Sequence, residues 1–326
     1  MSINNKIFAT PKTRKFAREL GANINEIPGT ERAGRITNDD VKNYINNKLN
    51  NPKIDSENSK EKTNLKVEFD HSDFGEVEVI DMPRIKRIAA PNLTNSWKSI
   101  PHVTHHDEAD ISELEEFRLS LKDRITGEIK KITPLVFIIK SLVSSLKKFP
   151  NFNSSIDEIE KGKITLKKYF HIGVAVDTKH GLMVPKIREA DKKNFNQLSE
   201  HLKEISDKCR KLKIDKKEFF GGSITVTSLG GIGGSFFTPI INYPEVAILG
   251  IGKKYYKQVY IDNEFKKRIM LPLSLSYDHR IIDGAEAARF CNDLKENLGK
   301  NFAYKLAIWL CLSRFLLLVH YFALLF

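Results

Sequence analysis

Cysteine is scarce in this chain of 326 residues: Cys209, Cys291 and Cys311 are the only three. None forms a C-x-x-C pair, which disfavours a disulfide scaffold and a structural zinc site. A reducing, cytoplasmic setting fits this cysteine usage. The N-terminus lacks an apolar run, since Met1-Ser2-Ile3-Asn4-Asn5-Lys6 is polar, and no signal peptide is read there. Internal repeats are missing. No G-K-[ST] follows the one glycine-rich stretch and no helix is expected to begin there, which disfavours a phosphate-binding P-loop. Acidic residues are in deficit, with 41 Asp and Glu against 53 Lys and Arg and a net charge of +12. Such a balance suits acidic partners, nucleic acid or an anionic membrane, without choosing among them.

Apolar residues make up 41% of the chain, enough for a globular core, and the length points to two folded units. The first covers residues 1–47. Thr10 and Pro11 read as the cap and first position of a helix that stops at Gly21. A Gly/Pro-rich loop over residues 27–35 leads to a second helix starting near Thr37. So small a unit is marginally stable. Asp40 is therefore either a buried carboxylate taking N–H groups from that loop or a solvated helix-start residue. Residues 48–73, rich in Asn, Lys, Ser and Glu, read as a flexible linker. Residues 74–300 form the large unit, with strand-like runs at 77–82, 100–109, 170–177, 182–187, 223–228, 246–251 and 269–276. Helices are expected from Thr133-Pro134 through Leu146, over the stripe Leu198, Leu202, Ile205, Cys209 and Leu212, and from Asp283 to Leu298.

Three places carry candidate chemistry. His279 follows an apolar strand and precedes a helix, where a side chain is exposed at the edge of a rigid core. An imidazole there can remove a thiol or hydroxyl proton at neutral pH, or it is a hydrogen-bonded structural residue. Asp283 reads as N-cap of the last helix, with Glu286 completing a capping box, and it would also steady the turn bearing His279. The stretch SITVTSLGGIGG over residues 223–234 ends a strand in Thr227-Ser228 before four glycines. Either hydroxyl can donate to a developing oxyanion. Gly230 and Gly231 let backbone approach a ligand closely, although a mobile loop would look the same. His102, His105 and His106 lie on a strand with alternating faces, a poor arrangement for a metal.

Four pieces, IPHVTHHDEADISELEEFR from Ile100, residues 223–234, FTPIINYPEVAILG from Phe237 and LPLSLSYDHRIIDG from Leu271, resemble the catalytic domain of dihydrolipoyl acyltransferases, the core of 2-oxo acid dehydrogenase complexes. Residues 9–45, with Arg14-Lys15, Gly29-Thr30, Gly34-Arg35 and Asp39-Asp40, resemble their peripheral subunit-binding domain. The resemblance implies an α+β fold like chloramphenicol acetyltransferase, a mixed sheet with covering helices, preceded by a small helical domain. It implies that His279 deprotonates the thiol of coenzyme A or dihydrolipoamide, that Thr227 binds the oxyanion from an adjacent subunit of a trimer, and that Asp283 is the acidic residue near the histidine. The wording looks most like the acetyl type of the pyruvate complex. Arg14, Arg32 and Arg35 would grip the dihydrolipoamide dehydrogenase and pyruvate decarboxylase components around a trimer-based core such as a 24-mer. No Asp-Lys-Ala lipoylation hairpin is visible, so the lipoyl group is expected from a segment absent here. A non-catalytic scaffold recruiting the same partners is the alternative. Residues 301–326 form an atypical apolar tail. It reads as out-of-frame sequence, a variant docking tail or a membrane segment interrupted by Arg314 and His320.

Overall fold

A computed structural model describes residues 8–50, 69–122, 127, 132–158, 161–299 and 302. Most of the expected linker, Cys311 and the apolar tail beyond residue 302 lie outside them. The chain divides into Met1–Val79 and Ile80–Phe326.

In the first unit, helix α1 (Pro11–Glu19) starts where Thr10 accepts the N–H of Thr13 at 3.2 Å, with Pro11 in the first turn. Helix α2 is Asn38–Asn50. Ala17, Ile27, Ile36 and Val41 form its small core. Asp40 proves to be the buried device. Its carboxylate takes the hydroxyl of Thr30 at 2.7 Å, and the N–H and hydroxyl of Thr37 at 2.8 and 2.9 Å. The Thr30 hydroxyl, then the Thr37 amide, hold its pKa down at about 2. One carboxylate thereby ties the 27–37 loop to the second helix, adding to the packing of Ile27 and Ile36 in a small core.

The second unit is built on a mixed sheet. Its strands are β1 (His102–Asp110), β4 (Ile172–Val174), β5 (Lys186–Ile187), β6 (Ile224–Ser228), β7 (Ala247–Ile251), β8 (Tyr255–Ile261) and β9 (Glu264–Asp278). A separate hairpin pairs β2 (Ser154–Glu158) with β3 (Lys163–Leu166). The sheet order is β1-β9-β7-β6-β4-β5, with β8 added to β9. Only β4–β6 and β6–β7 are parallel. Five α-helices accompany the sheet among the described residues. Helices α5 (Pro134–Lys148), α6 (Phe195–Arg210) and α7 (Gly284–Leu298) match the three expected. Helices α3 (Arg84–Ser99) and α4 (Ser112–Ser120) had no clear signal.

Strands β1, β2, β4, β5, β6, β7 and β9 share one apolar core with α4, α5, α6 and α7. Helices α5 and α7 are also joined by Asp293, which accepts from Ser145 at 2.8 Å and Asn297 at 2.9 Å. Phe302 is buried against Phe117 and Phe137, so packing continues past residue 300. The strand expected at 77–82 is not formed. Among the described residues they pair with no neighbour, and Val79 and Ile80 are among the most exposed apolar side chains. The α+β class, a mixed sheet with covering helices after a small helical unit, is as expected.

Candidate functional site

Strand β9 ends at Asp278 and α7 starts at Gly284, which leaves His279 in the tight turn between them. Its backbone is held on both sides. The His279 N–H donates to the Pro101 carbonyl at 3.1 Å, and the Asp278 N–H donates to that of Val246 at 2.9 Å. The Asp278 carbonyl caps the turn by accepting from Ile281 and Ile282 at 3.1 and 3.0 Å. The buried Asp278 carboxylate chelates Arg280, through Nε at 2.9 Å and Nη2 at 2.6 Å, and raises the pKa of that guanidinium. Asp278 thus braces the turn and leaves the His279 imidazole alone. That ring is exposed, tilted against Tyr277 at 6.0 Å between centroids. No hydrogen bond to it is formed among the described residues. A rigid backbone and a free ring suit a base that meets its partner only when substrate arrives.

Asp283 is the N-cap of α7, accepting the Glu286 N–H at 2.7 Å. The other half of the expected capping box is not made. The Glu286 carboxylate turns instead to the side-chain amide of Asn151, at 3.0 and 3.2 Å, because that residue packs beside the helix start. Asp283 and His279 share the turn without a hydrogen bond between their side chains.

Thr227 and Ser228 end β6. Thr227 is half-buried, and Ser228 is exposed with its hydroxyl taking the Gly230 N–H at 3.4 Å. The sheet register fixes where they stand relative to His279. Thr227 pairs with Gly250 on β7, and Gly250 pairs with Ser274 on β9. His279 lies five residues further along. That is roughly 17 Å along the strand and roughly 10 Å across two strand spacings, about 20 Å in all. Within one chain the histidine and the hydroxyl stand at opposite ends of the sheet and cannot touch the same small group.

Gly230 and Gly231 are exposed. A Cβ at Gly231 would meet nothing, and one at Gly230 would make ordinary contacts of 3.5 and 3.6 Å. The positive φ angles fall on Gly233 and Gly234, so those two meet the backbone's need for glycine. His102 is structural: its Nδ1–H donates to the Ile100 carbonyl at 2.8 Å and its Nε2 accepts the Ile241 N–H at 3.0 Å. His106 lies 2.9 Å from the Ser274 hydroxyl. Arg14, Arg32 and Arg35 are all exposed on the small unit, Arg14 reaching the Ala9 carbonyl at 3.4 Å.

Sequence reading missed a buried ion pair behind the site. Lys186 and Glu245 are 1% and 3% exposed and in direct contact. They are 59 residues apart, and no local pattern links them.

Comparison with known proteins gives the family. The model for 2-oxoacid dehydrogenases acyltransferase (catalytic domain) matches residues 74–304, and that for an e3 binding domain matches residues 7–42. The chain belongs to the 2-oxoacid dehydrogenase acyltransferase family. It is 48% identical over 290 residues to the dihydrolipoyllysine-residue acetyltransferase component of the pyruvate dehydrogenase complex from Cupriavidus necator, covering 86% of this chain and 52% of that protein. It spans about half the length of the first curated relatives it matches, 52% in Haemophilus influenzae as well. Among solved structures, the dihydrolipoamide acetyltransferase of Azotobacter vinelandii superposes with a TM-score of 0.70 at 44% identity, covering 73% of this chain and 98% of that one. The cubic core of a pyruvate dehydrogenase multienzyme complex gives the same figures.

Proposed function

We propose that this chain is the acyltransferase of a pyruvate dehydrogenase complex, moving an acetyl group between dihydrolipoamide and coenzyme A. The observation that carries the reading is His279, a solvent-facing imidazole on a backbone clamped from both sides. The Azotobacter relative was studied for the role of a serine, a histidine and an asparagine in its catalytic mechanism. That serine lies 52 residues before the histidine, and the asparagine four after it. The same offsets from His279 fall on Thr227 and Asp283. Thr227 keeps the hydroxyl, while Asp283 substitutes a carboxylate for the amide.

In this reading the His279 imidazole takes the proton from the incoming thiol. The thiolate adds to the thioester carbonyl, and the new C–S bond places charge on the oxygen. The Thr227 hydroxyl donates to that oxyanion. Collapse expels the other sulfur as thiolate, which recovers the proton from His279. Coenzyme A and a lipoyl group on a separate segment are the two carriers. In this reading the nucleophilic sulfur is the substrate's; Cys209 and Cys291 are buried, and burial pushes the Cys291 thiol up to about 12. The roughly 20 Å separation in one chain supports a hydroxyl supplied by a neighbouring copy, in line with a trimer-based core and a larger assembly such as a 24-mer. Ser228, Gly230 and Gly231 then border the incoming substrate. Arg14, Arg32 and Arg35 offer exposed cations to acidic faces of dihydrolipoamide dehydrogenase and the pyruvate decarboxylase component. The buried, unpaired Cys209 and Cys291 fit a cytoplasmic setting. The test is acetyl transfer from acetyl-CoA to dihydrolipoamide. His279→Ala is expected to lower kcat by about 10²–10⁴-fold, and equal rates would overturn the assignment.

A further inference from the structure

The buried pair behind the site is more elaborate than an ion pair needs to be. Lys186, on β5, reaches past Gly173 on β4 to Thr225 on β6, whose hydroxyl lies 3.3 Å from its Nζ, and on to the Glu245 carboxylate. Thr225 donates in turn to Glu245 Oε2 at 2.6 Å, and the Asn242 side-chain amide donates to Oε1 at 3.3 Å. The path exists because two glycines leave room. A Cβ on Gly173 would stand 2.5 Å from the Thr225 hydroxyl and 2.7 Å from Lys186 Nζ, and one on Gly222 would stand 2.8 Å from Lys186 Nζ.

Stability alone does not account for such a device. Taking a carboxylate and an ammonium out of water is costly, and well-packed apolar residues of similar size often stabilise equally well. What the network does is geometric. It locks residue 245 to two strands, and the next residue, Val246, offers the carbonyl that receives the Asp278 N–H at 2.9 Å. Asp278 directly precedes His279. Fixing Glu245 therefore fixes one of the two backbone clamps on the histidine turn.

We propose that Glu245, paired with Lys186 and Thr225, is a positioning residue for His279. The proposal rests on the acyl-transfer role of that histidine. The network touches no substrate and acts through the chain Glu245, Val246, Asp278. An imidazole on a displaced turn would still be present and still be basic, but it would no longer meet the thiol at the right distance and angle. A displacement near 1 Å costs on the order of 10²-fold in rate.

The experiment is a double-mutant cycle on the full, assembled chain. Lys186→Met with Glu245→Leu removes both charges and keeps the volume. Acetyl-CoA to dihydrolipoamide transfer is measured for this variant, for His279→Ala, and for the two combined. The expected result is a fall in kcat of about 10–100-fold with KM for acetyl-CoA within about twofold. In the His279→Ala background the same replacements should lower the residual rate no further, because a residue acting only through the histidine has nothing left to position. Equal losses in both backgrounds, or a folded charge-free variant with wild-type kcat, would overturn the proposal. Thr225→Val, which removes a single hydroxyl from the network, covers failure of the charge-free variant to assemble. It should show a smaller drop in kcat that also vanishes in the His279→Ala background, and an unchanged kcat with His279 intact would reduce the network to a scaffold. A rate for His279→Ala equal to wild type would defeat the histidine's own role, and the positioning role with it, before any network variant is compared.

Discussion

Chains carrying Thr227→Ala and chains carrying His279→Ala should restore each other's activity when they share an assembly. Thr227 and His279 stand about 20 Å apart in one chain, set by five residues along β9 and two strand spacings across the sheet. No thioester bridges that gap, so on the proposed acyl-transfer reading each working site would draw its hydroxyl and its imidazole from different copies. Loss of the hydroxyl is expected to cost about 10²–10³-fold, and loss of the base about 10²–10⁴-fold, leaving each homogeneous variant at or below about 1% of wild type. Random co-assembly of the two in equal amounts changes that arithmetic. A site needs an intact histidine from one chain and an intact threonine from its neighbour, and about one site in four will have both. Activity should therefore rise to about a quarter of wild type, more than an order of magnitude above either parent. The assay is steady-state acetyl transfer after co-expression or joint refolding, with separately folded and then mixed proteins as the control. Activity of the co-assembled protein no higher than the mean of the parents would refute the split-site geometry.

Other consequences follow from particular side chains. Asp40 has its pKa held at about 2, below the ordinary 3.8, by hydrogen bonds present only in the folded small unit. A lowered carboxylate pKa contributes stability that is full above about pH 4 and disappears as pH falls toward 2, on the order of 2 kcal/mol. Asp40→Asn should thus speed amide exchange in residues 13–41 at pH 7, with the difference from wild type closing below pH 3. Phe302→Ala should destabilise the large unit by about 3–5 kcal/mol, measured by denaturant unfolding, and a negligible change would mean that the aromatic cluster with Phe117 and Phe137 is not formed in solution. Gly173→Ala should be strongly destabilising because its Cβ would meet the Thr225 hydroxyl at 2.5 Å, whereas Gly231→Ala, with open space around it, should leave the melting temperature unchanged.

The features legible in the sequence are those whose cause is local. The cap at Thr10, the buried stripe of α5, the α7 start at Asp283 and the strand-end position of His279 each depend on residues within one or two turns of each other. Asp40 was legible as an alternative, and the structure decides it through Thr30, ten residues away. Elements without a clear buried stripe escaped. Helix α3 carries Pro91 in its interior, exposes Ile88, Leu93 and Trp97, and buries only Ser96, so no core-facing period marks it. Strand β8 mixes Tyr and Lys because it lies outside the main path of the sheet. The run at 77–82 has strand-like composition but finds no partner, and composition alone does not make a strand. The Glu286 side chain and the Lys186–Glu245 pair were beyond reach for a common reason: their partners come from segments brought close only by the tertiary fold.

Strand β9 has one more consequence. Over residues 273–277 it is hydrogen-bonded to β1 on one side and β7 on the other. Its amides should therefore be among the slowest in the domain to exchange with deuterated solvent, opening only with global unfolding. Two residues later the chain is at the surface. The change from the stiffest backbone to an open side chain occurs within a single turn, so the imidazole inherits a fixed pivot and keeps only its two side-chain torsions. On the acyl-transfer reading, reorientation of the imidazole between collecting a proton and handing it on would come from ring rotation rather than from movement of its backbone.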